Sequence, residues 1–103
     1  FYEALLDVKV TNRFENRWAD FQKGGEFYLG LYNPTYDKMR AKYGNNCTIG
    51  LYTTDIKKEH KRVKSLNPKN ITKVLFVNFF MPYKFFQFAD TEGNVLEVAQ
   101  YKK

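Results

Sequence analysis

The chain has 103 residues, a formal net charge of +6 and a hydrophobic share of 44%, which suits one folded domain and excludes both a disordered tail and a two-domain protein. A single Cys and a single His exclude an intramolecular disulfide, a Cys-rich zinc site and any centre needing two imidazoles. No stretch reaches the roughly 18 apolar residues of a membrane helix, and no signal-peptide pattern opens the chain.

The first element is Phe1–Leu6 (FYEALL), with Phe1, Tyr2, Leu5 and Leu6 on one side of a helix. Two short β-like pieces follow, Asp7–Thr11 and Arg17–Phe21. Gly24-Gly25 is a turn signal, and Glu26–Tyr32 (EFYLGLY) alternates as a strand. The polar stretch 33–46, carrying Pro34 and Gly44, reads as a linker. Cys47–Thr53 (CTIGLYT) is the next strand, and Asp55 stands where it caps the helix that follows. In that helix Ile56, His60, Val63 and Leu66 share one stripe, encircled by Lys57, Lys58, Lys61, Arg62 and Lys64, and Asn67-Pro68 stops it. Ile71–Phe80 is β-rich, Met81-Pro82 interrupts, Tyr83–Ala89 is a strand, Asp90–Asn94 turns and Val95–Tyr101 closes the chain.

The order is helix, three strands, linker, strand, helix, three strands. Residues 47–103 make a complete βαβββ unit, and residues 1–32 make the same unit without its opening strand. The predicted fold class is α+β, one domain of paired βαβββ modules joined through 33–46. The chain starts on Phe1 and not on Met, so a preceding segment carrying the missing strand is expected.

In these features the chain resembles the glyoxalase, bleomycin-resistance and extradiol-dioxygenase superfamily, the vicinal oxygen chelate fold. Phe1–Leu6 is similar to the family's first helix and Gly25–Leu31 to the strand closing its first module. Thr48–Leu66 is similar to the strand and helix opening the second. The strongest match is Phe88–Glu97 (FADTEGNVLE), which resembles the closing "F-x-D-P-x-G-N-x-x-E" hairpin with Thr91 in place of the usual Pro. The resemblance implies a cupped mixed sheet with helices outside.

Strand parity gives an independent reading. Leu29 and Leu31 (with Phe27) oppose Tyr28, Gly30 and Tyr32; Ile49 and Leu51 oppose Thr48, Gly50 and Tyr52; Leu96 and Val98 oppose Val95, Glu97, Ala99 and Tyr101. Each strand has one greasy face, suited to a covering helix, and one face of Tyr, small and polar residues, suited to a partly wet cavity. The predicted cavity lining is Tyr28, Tyr32, Thr48, Tyr52, Glu97 and Tyr101, with Glu97 as its charged anchor and candidate proton acceptor or donor.

The resemblance also implies where a divalent metal would be held. The closing Glu of the second module is Glu97, but the His position on its opening strand is Thr48 and the carboxylate position of the first module is Gly30. One donor in three does not make a zinc, nickel or iron site. No cofactor is expected unless the missing first strand contributes ligands, in which case a metal-dependent lyase or dioxygenase of the same superfamily is the alternative.

Other residues read more simply. Glu97 is equally explained as the structural partner of a cation such as Arg17 or Lys84. Asp90, Gly93 and Asn94 are turn chemistry, His60 is a packing histidine, and a Cys47–His60 nucleophilic pair lacks an orienting acid. The basic helix is a solvated outer helix, because its cations surround it and do not form one stripe; nucleic-acid binding is therefore the remote alternative. The expected function is binding of a small neutral or anionic aromatic or carboxylate-type molecule by a cytoplasmic, bacterial homodimer with no membrane partner. Cationic drugs such as bleomycin mismatch the positive charge.

Overall fold

The computed structural model describes residues 1–40, 47–78 and 82–101. The predicted linker stretch 41–46, the end of the β-rich segment at Phe79 and Phe80, and Met81 of the interruption lie outside the described residues. The chain forms two compact units, Phe1–Lys42 and Tyr43–Lys103. No helix among the described residues is long and apolar enough to cross a membrane.

The first unit holds helix α1 (Tyr2–Leu6) and strands β1 (Asn12–Phe14), β2 (Trp18–Lys23) and β3 (Glu26–Tyr32), paired antiparallel in the order β1-β2-β3. Among the described residues Leu5 and Phe21 are its buried apolar side chains. The β-like piece expected at Asp7–Thr11 is not a strand. Asp7 adopts the left-handed conformation with φ 54° as it closes α1. The chain then bonds back to Glu3, whose carbonyl accepts from Val8 N at 3.2 Å and whose carboxylate accepts from Val10 N at 2.8 Å. Those donors are thereby withdrawn from a ladder, and pairing starts only at Asn12. Gly24 and Gly25 take positive φ values of 62° and 82° in the β2–β3 hairpin, the geometry that favours glycine there. A 3-10 turn over Pro34–Asp37 follows, capped by Asn33, whose side chain accepts from Thr35 N at 3.1 Å.

The second unit holds β4 (Thr48–Tyr52), helix α2 (Ile56–Lys64), β5 (Leu75–Val77), β6 (Tyr83–Ala89) and β7 (Val95–Tyr101). Its sheet runs β4-β7-β6-β5, with β4 parallel to β7 and the other pairs antiparallel. The βα-crossover from β4 and the two hairpin-type returns are the predicted βαβββ unit. Asp55 caps α2 by accepting from Lys58 N at 3.1 Å, and Ile56 N donates to the Gln100 side chain at 2.8 Å, tying the helix start to β7. Ile56 and Val63 of α2 and Phe86, Phe88, Leu96 and Val98 of the sheet are buried.

Of the described residues of the predicted β-rich stretch Ile71–Phe80, Leu75–Val77 form the paired strand. Thr72 interrupts the ladder: its hydroxyl, not its carbonyl, accepts from Gln87 N at 3.0 Å, and its carbonyl accepts from His60 Nε2–H at 2.7 Å. His60 thus spends its donor on the backbone while its ring packs edge-on against Phe86 at 4.8 Å. In the closing hairpin Asp90, 3% exposed, accepts from Glu92 N at 2.9 Å, Asn94 N at 2.8 Å and Asn94 Nδ2 at 2.9 Å, and Gly93 has φ 85°.

The packing makes opposite demands on two adjacent β7 residues. Leu96→Ala is expected to lower the unfolding free energy by about 2–5 kcal/mol. Glu97→Gln should change it by less than about 1 kcal/mol. Urea denaturation of both variants checks the pair.

Candidate functional site

On the face of the second sheet opposite α2, the register aligns side chains in rows. Gly50, Glu97 and Gln87 form one row; Tyr52, Ala99, Phe85 and Leu75 form the next; Tyr101 pairs with Tyr83 at the end. The predicted residues Thr48, Tyr52, Glu97 and Tyr101 therefore share one face, with Leu96 and Val98 on the other. Ala99 is only 4% exposed although its side chain is small. Aromatic rings surround it: Tyr52 lies 5.5 Å from Tyr101, Tyr101 lies 5.1 Å from Tyr83, and Tyr83 lies 5.5 Å from Phe85. Tyr52 remains 79% exposed.

Glu97 accepts from Gln87 Nε2 at 3.1 Å. This bond orients the Gln87 amide so that its carbonyl oxygen faces away as an acceptor. On the other side of Glu97, a Cβ at Gly50 would meet nothing within 4 Å, so the row has room beside the carboxylate. The two cations weighed as partners for Glu97 each have a place within their own unit. Arg17 belongs to the first unit and pairs with Asp37 at 2.9 Å. Lys84 aligns with Gln100 and Phe76, on the parity of Leu96 and Val98. Lys84 also lines an open hollow of about 210 Å³ with Phe76, Tyr83, Gln100 and Tyr101 at the ends of the strands.

In the first unit, Tyr32 and Gly30 share a face, but the ladder skips Tyr28. Phe21 pairs with Leu29 and Gln22 with Phe27, leaving Tyr28 as the extra residue of a bulge. The alternation that placed Tyr28 is interrupted there, and its ring instead lies 5.6 Å from Lys23 Nζ. Tyr32 donates its hydroxyl to Asp37 at 2.5 Å. That bond, with Arg17 adding its own hydrogen bond and charge, holds the Asp37 carboxyl below the usual carboxylate range; the same bond raises the Tyr32 phenol, against the lowering effect of Arg17. The Tyr32 hydroxyl is thus committed within its own unit.

The residues at the implied metal positions do not fit a resident divalent ion. Glu97 supplies one carboxylate, Thr48 a neutral hydroxyl, and the face of Gly30 is covered by the Trp18 indole. Among the described residues no group of three or more His, Cys, Asp or Glu side chains is placed to hold a metal. On α2, Arg62 is paired with Glu59 at 2.5 Å, and Cys47 is exposed ahead of β4.

Sequence reading missed Gln87, Tyr83 and Phe85, which complete the Glu97 face. Their alternation is visible in YKFFQFA, but the three adjacent aromatic positions around Lys84 leave both faces looking apolar. Only pairing with β7 decides which face carries which residue.

No family model and no curated protein matches the sequence. Solved structures do resemble it. A glyoxalase/bleomycin resistance protein/dioxygenase from Nocardioides superposes with TM-score 0.74 at 15% identity, covering 100% of this chain and 73% of that one. A counterpart of the same description from Alicyclobacillus acidocaldarius gives 0.68 at 20%, over 100% and 80%. A lactoylglutathione lyase from Agrobacterium tumefaciens gives 0.67 at 16%, over 97% and 80%. The chain has the α+β fold of these glyoxalase-type proteins.

The Tyr cluster generates a titration prediction. The Tyr101 phenol is raised above its ordinary value, first by burial and then by its neighbours Tyr52 and Tyr83. A phenol whose pKa is higher in the folded state stabilises the fold below its unfolded value of about 10, and that contribution is lost as pH rises through the folded value. Tyr52→Phe should bring Tyr101 part of the way down while the burial effect remains, as read by carbon NMR of labelled tyrosine.

Proposed function

We propose that this chain binds a small aromatic molecule on the Glu97 face of its second sheet. The observation that carries the reading is the polar row Gly50–Glu97–Gln87 set beside the ring cluster of Tyr52, Tyr83, Phe85 and Tyr101. Rings supply apolar area and stacking, and a few fixed polar groups supply orientation, the usual composition of a small-molecule site. The fold supports the same reading, since its structural neighbours include a lactoylglutathione lyase and bleomycin-resistance-type proteins.

Of the neutral and anionic ligand classes that the net charge admits, the row favours the neutral one. Glu97 has an amide beside it, not a cation, and an approaching carboxylate would be repelled. Glu97 Oε2 and the Gln87 carbonyl are acceptors, so the complementary ligand carries N–H or O–H donors. Glu97 is then the anchor of the site and the group on that row able to take a proton from a bound donor. The space beside Gly50 is where such a donor group fits.

Thermal unfolding with single-ring probes tests this. Benzamide should raise Tm, since a ligand at about 100 times its Kd adds roughly 2.7 kcal/mol to stability, and Glu97→Gln should remove most of the rise without unfolding the protein. A response to benzoate and none to benzamide moves the ligand to the hollow beside Lys84 and overturns the Glu97 assignment. Salt-sensitive binding of random-sequence DNA, with no probe response, replaces the small-molecule reading by the nucleic-acid one.

The proposal includes a homodimer. Among the described residues β3 pairs with β2 alone and β4 with β7 alone, within their own sheets, and strand edges of this kind are commonly covered by a second copy. Light scattering is expected to give twice the chain mass; a monomer at all concentrations overturns this part.

A further inference from the structure

In the first unit the register places Phe14, Trp18 and Tyr32 in one row and Asn12, Asp20 and Gly30 in the next, on the same face. The Trp18 indole leans from its own row onto Gly30. A Cβ at that glycine would lie 2.6 Å from Trp18 Cζ2 and closer still to Cη2, so only glycine lets the ring lie there. The indole N–H donates to Asp20 Oδ2 at 2.8 Å, and Asn12 Nδ2 donates to Asp20 Oδ1 at 3.0 Å.

This arrangement is unusual for a ring that remains 40% exposed. Asp20 is only 5% exposed, and its carboxylate is withdrawn from water with two neutral donors for company. Burying a carboxylate to fix one end of a core tryptophan would serve packing, but here the ring it fixes still presents a face to solvent. Phe14 and Tyr32 beside it are 55% and 45% exposed. Hydrogen bonding of the indole N–H to an anion also makes the ring a richer π-donor, the complement of an electron-poor ring.

We propose that Trp18 is a fixed stacking platform for a planar, electron-poor aromatic group, with Asp20 and Gly30 as the residues that position it. The proposal deepens the reading that the chain binds a small aromatic molecule and rests on it, while using none of the residues of the Glu97 row. A preset ring loses little freedom on stacking, and alanine-scale losses at such platforms correspond to roughly tenfold or more in affinity.

Trp18 is the one tryptophan of the chain, so its emission reports the platform directly. Titration with nicotinamide, a neutral electron-poor ring, should quench it saturably with the fluorescence lifetime unchanged. Cyclohexanecarboxamide, saturated but carrying the same amide, should not. Gly30→Ala should weaken the nicotinamide response at least tenfold by displacing the indole, with the far-ultraviolet dichroism retained. Asp20→Asn, which keeps an acceptor and the side-chain shape, covers the case in which Gly30→Ala fails to fold; it should weaken the response less and shift the emission maximum.

Linear, unsaturable quenching equal to that of N-acetyltryptophanamide overturns the proposal. So does emission that shifts blue with protein concentration alone, because a second copy then covers the ring. A benzamide-induced rise in Tm without any Trp18 response sinks the platform and leaves the Glu97 reading standing; absence of both sinks the two together.

Discussion

Leu96 and Glu97 are adjacent in the chain and face opposite sides of β7, and the second unit depends on that division being kept. Among the described residues β7 has a long ladder on each side, seven pairs with β6 and five with β4. A slip of one residue would turn Leu96 and Val98 out of the core and drive Glu97 under α2, so the register is held from both flanks by burial. The same parity carries to the strand end, where Gln100 accepts from the first free N–H of α2. The strand therefore seats the helix on one face and leaves the polar row on the other.

The two units arrive at one chemical combination by different routes. In each, a central strand carries a carboxylate flanked by an amide side chain on one neighbour and a glycine on the other: Asn12, Asp20 and Gly30 in the first, Gln87, Glu97 and Gly50 in the second. In each the amide donates to the carboxylate. The glycines are used differently, since the first is filled by the Trp18 ring and the second stays open. A carboxylate held by a neutral amide has acceptor directions left over and no cation balancing it, whereas a Lys or Arg partner would cancel the local net charge. In a chain of net charge +6, these faces are local exceptions to the sign of the whole.

Several polar side chains that look available in the sequence are spent on the backbone or on one another. His60 donates to Thr72, the Thr72 hydroxyl accepts from Gln87 N, and Asp90 takes three donors of its own turn. The Tyr32 hydroxyl is held by Asp37, which Arg17 also engages. Each commitment follows from the rule that a buried or half-buried polar group finds a partner. Among the described residues, Glu97 and its row are left with unfilled acceptor positions on the face of the second sheet opposite α2.

The sequence by itself determined the elements with strong local signals. The Gly24-Gly25 hairpin, the Asp55 cap, the stripe Ile56–His60–Val63 and the D-T-E-G-N turn each depend on neighbours within a few residues, and so did the parity of β4 and β7. Tertiary structure decided the rest, because it depends on contacts that local periodicity does not reveal. Asp7–Thr11 lost its strand to the Glu3 carboxylate, and the start of the Ile71–Phe80 run left the ladder where Thr72 met His60 and Gln87. Tyr28 left the alternation because β2 and β3 differ by one residue across a bulge. Gln87 joined Glu97, and Trp18 came to lie on Gly30, only when the strands paired. Periodicity says that a strand has two faces, but only the partner strand and the helix that packs on it decide which face is buried and whose side chains meet there.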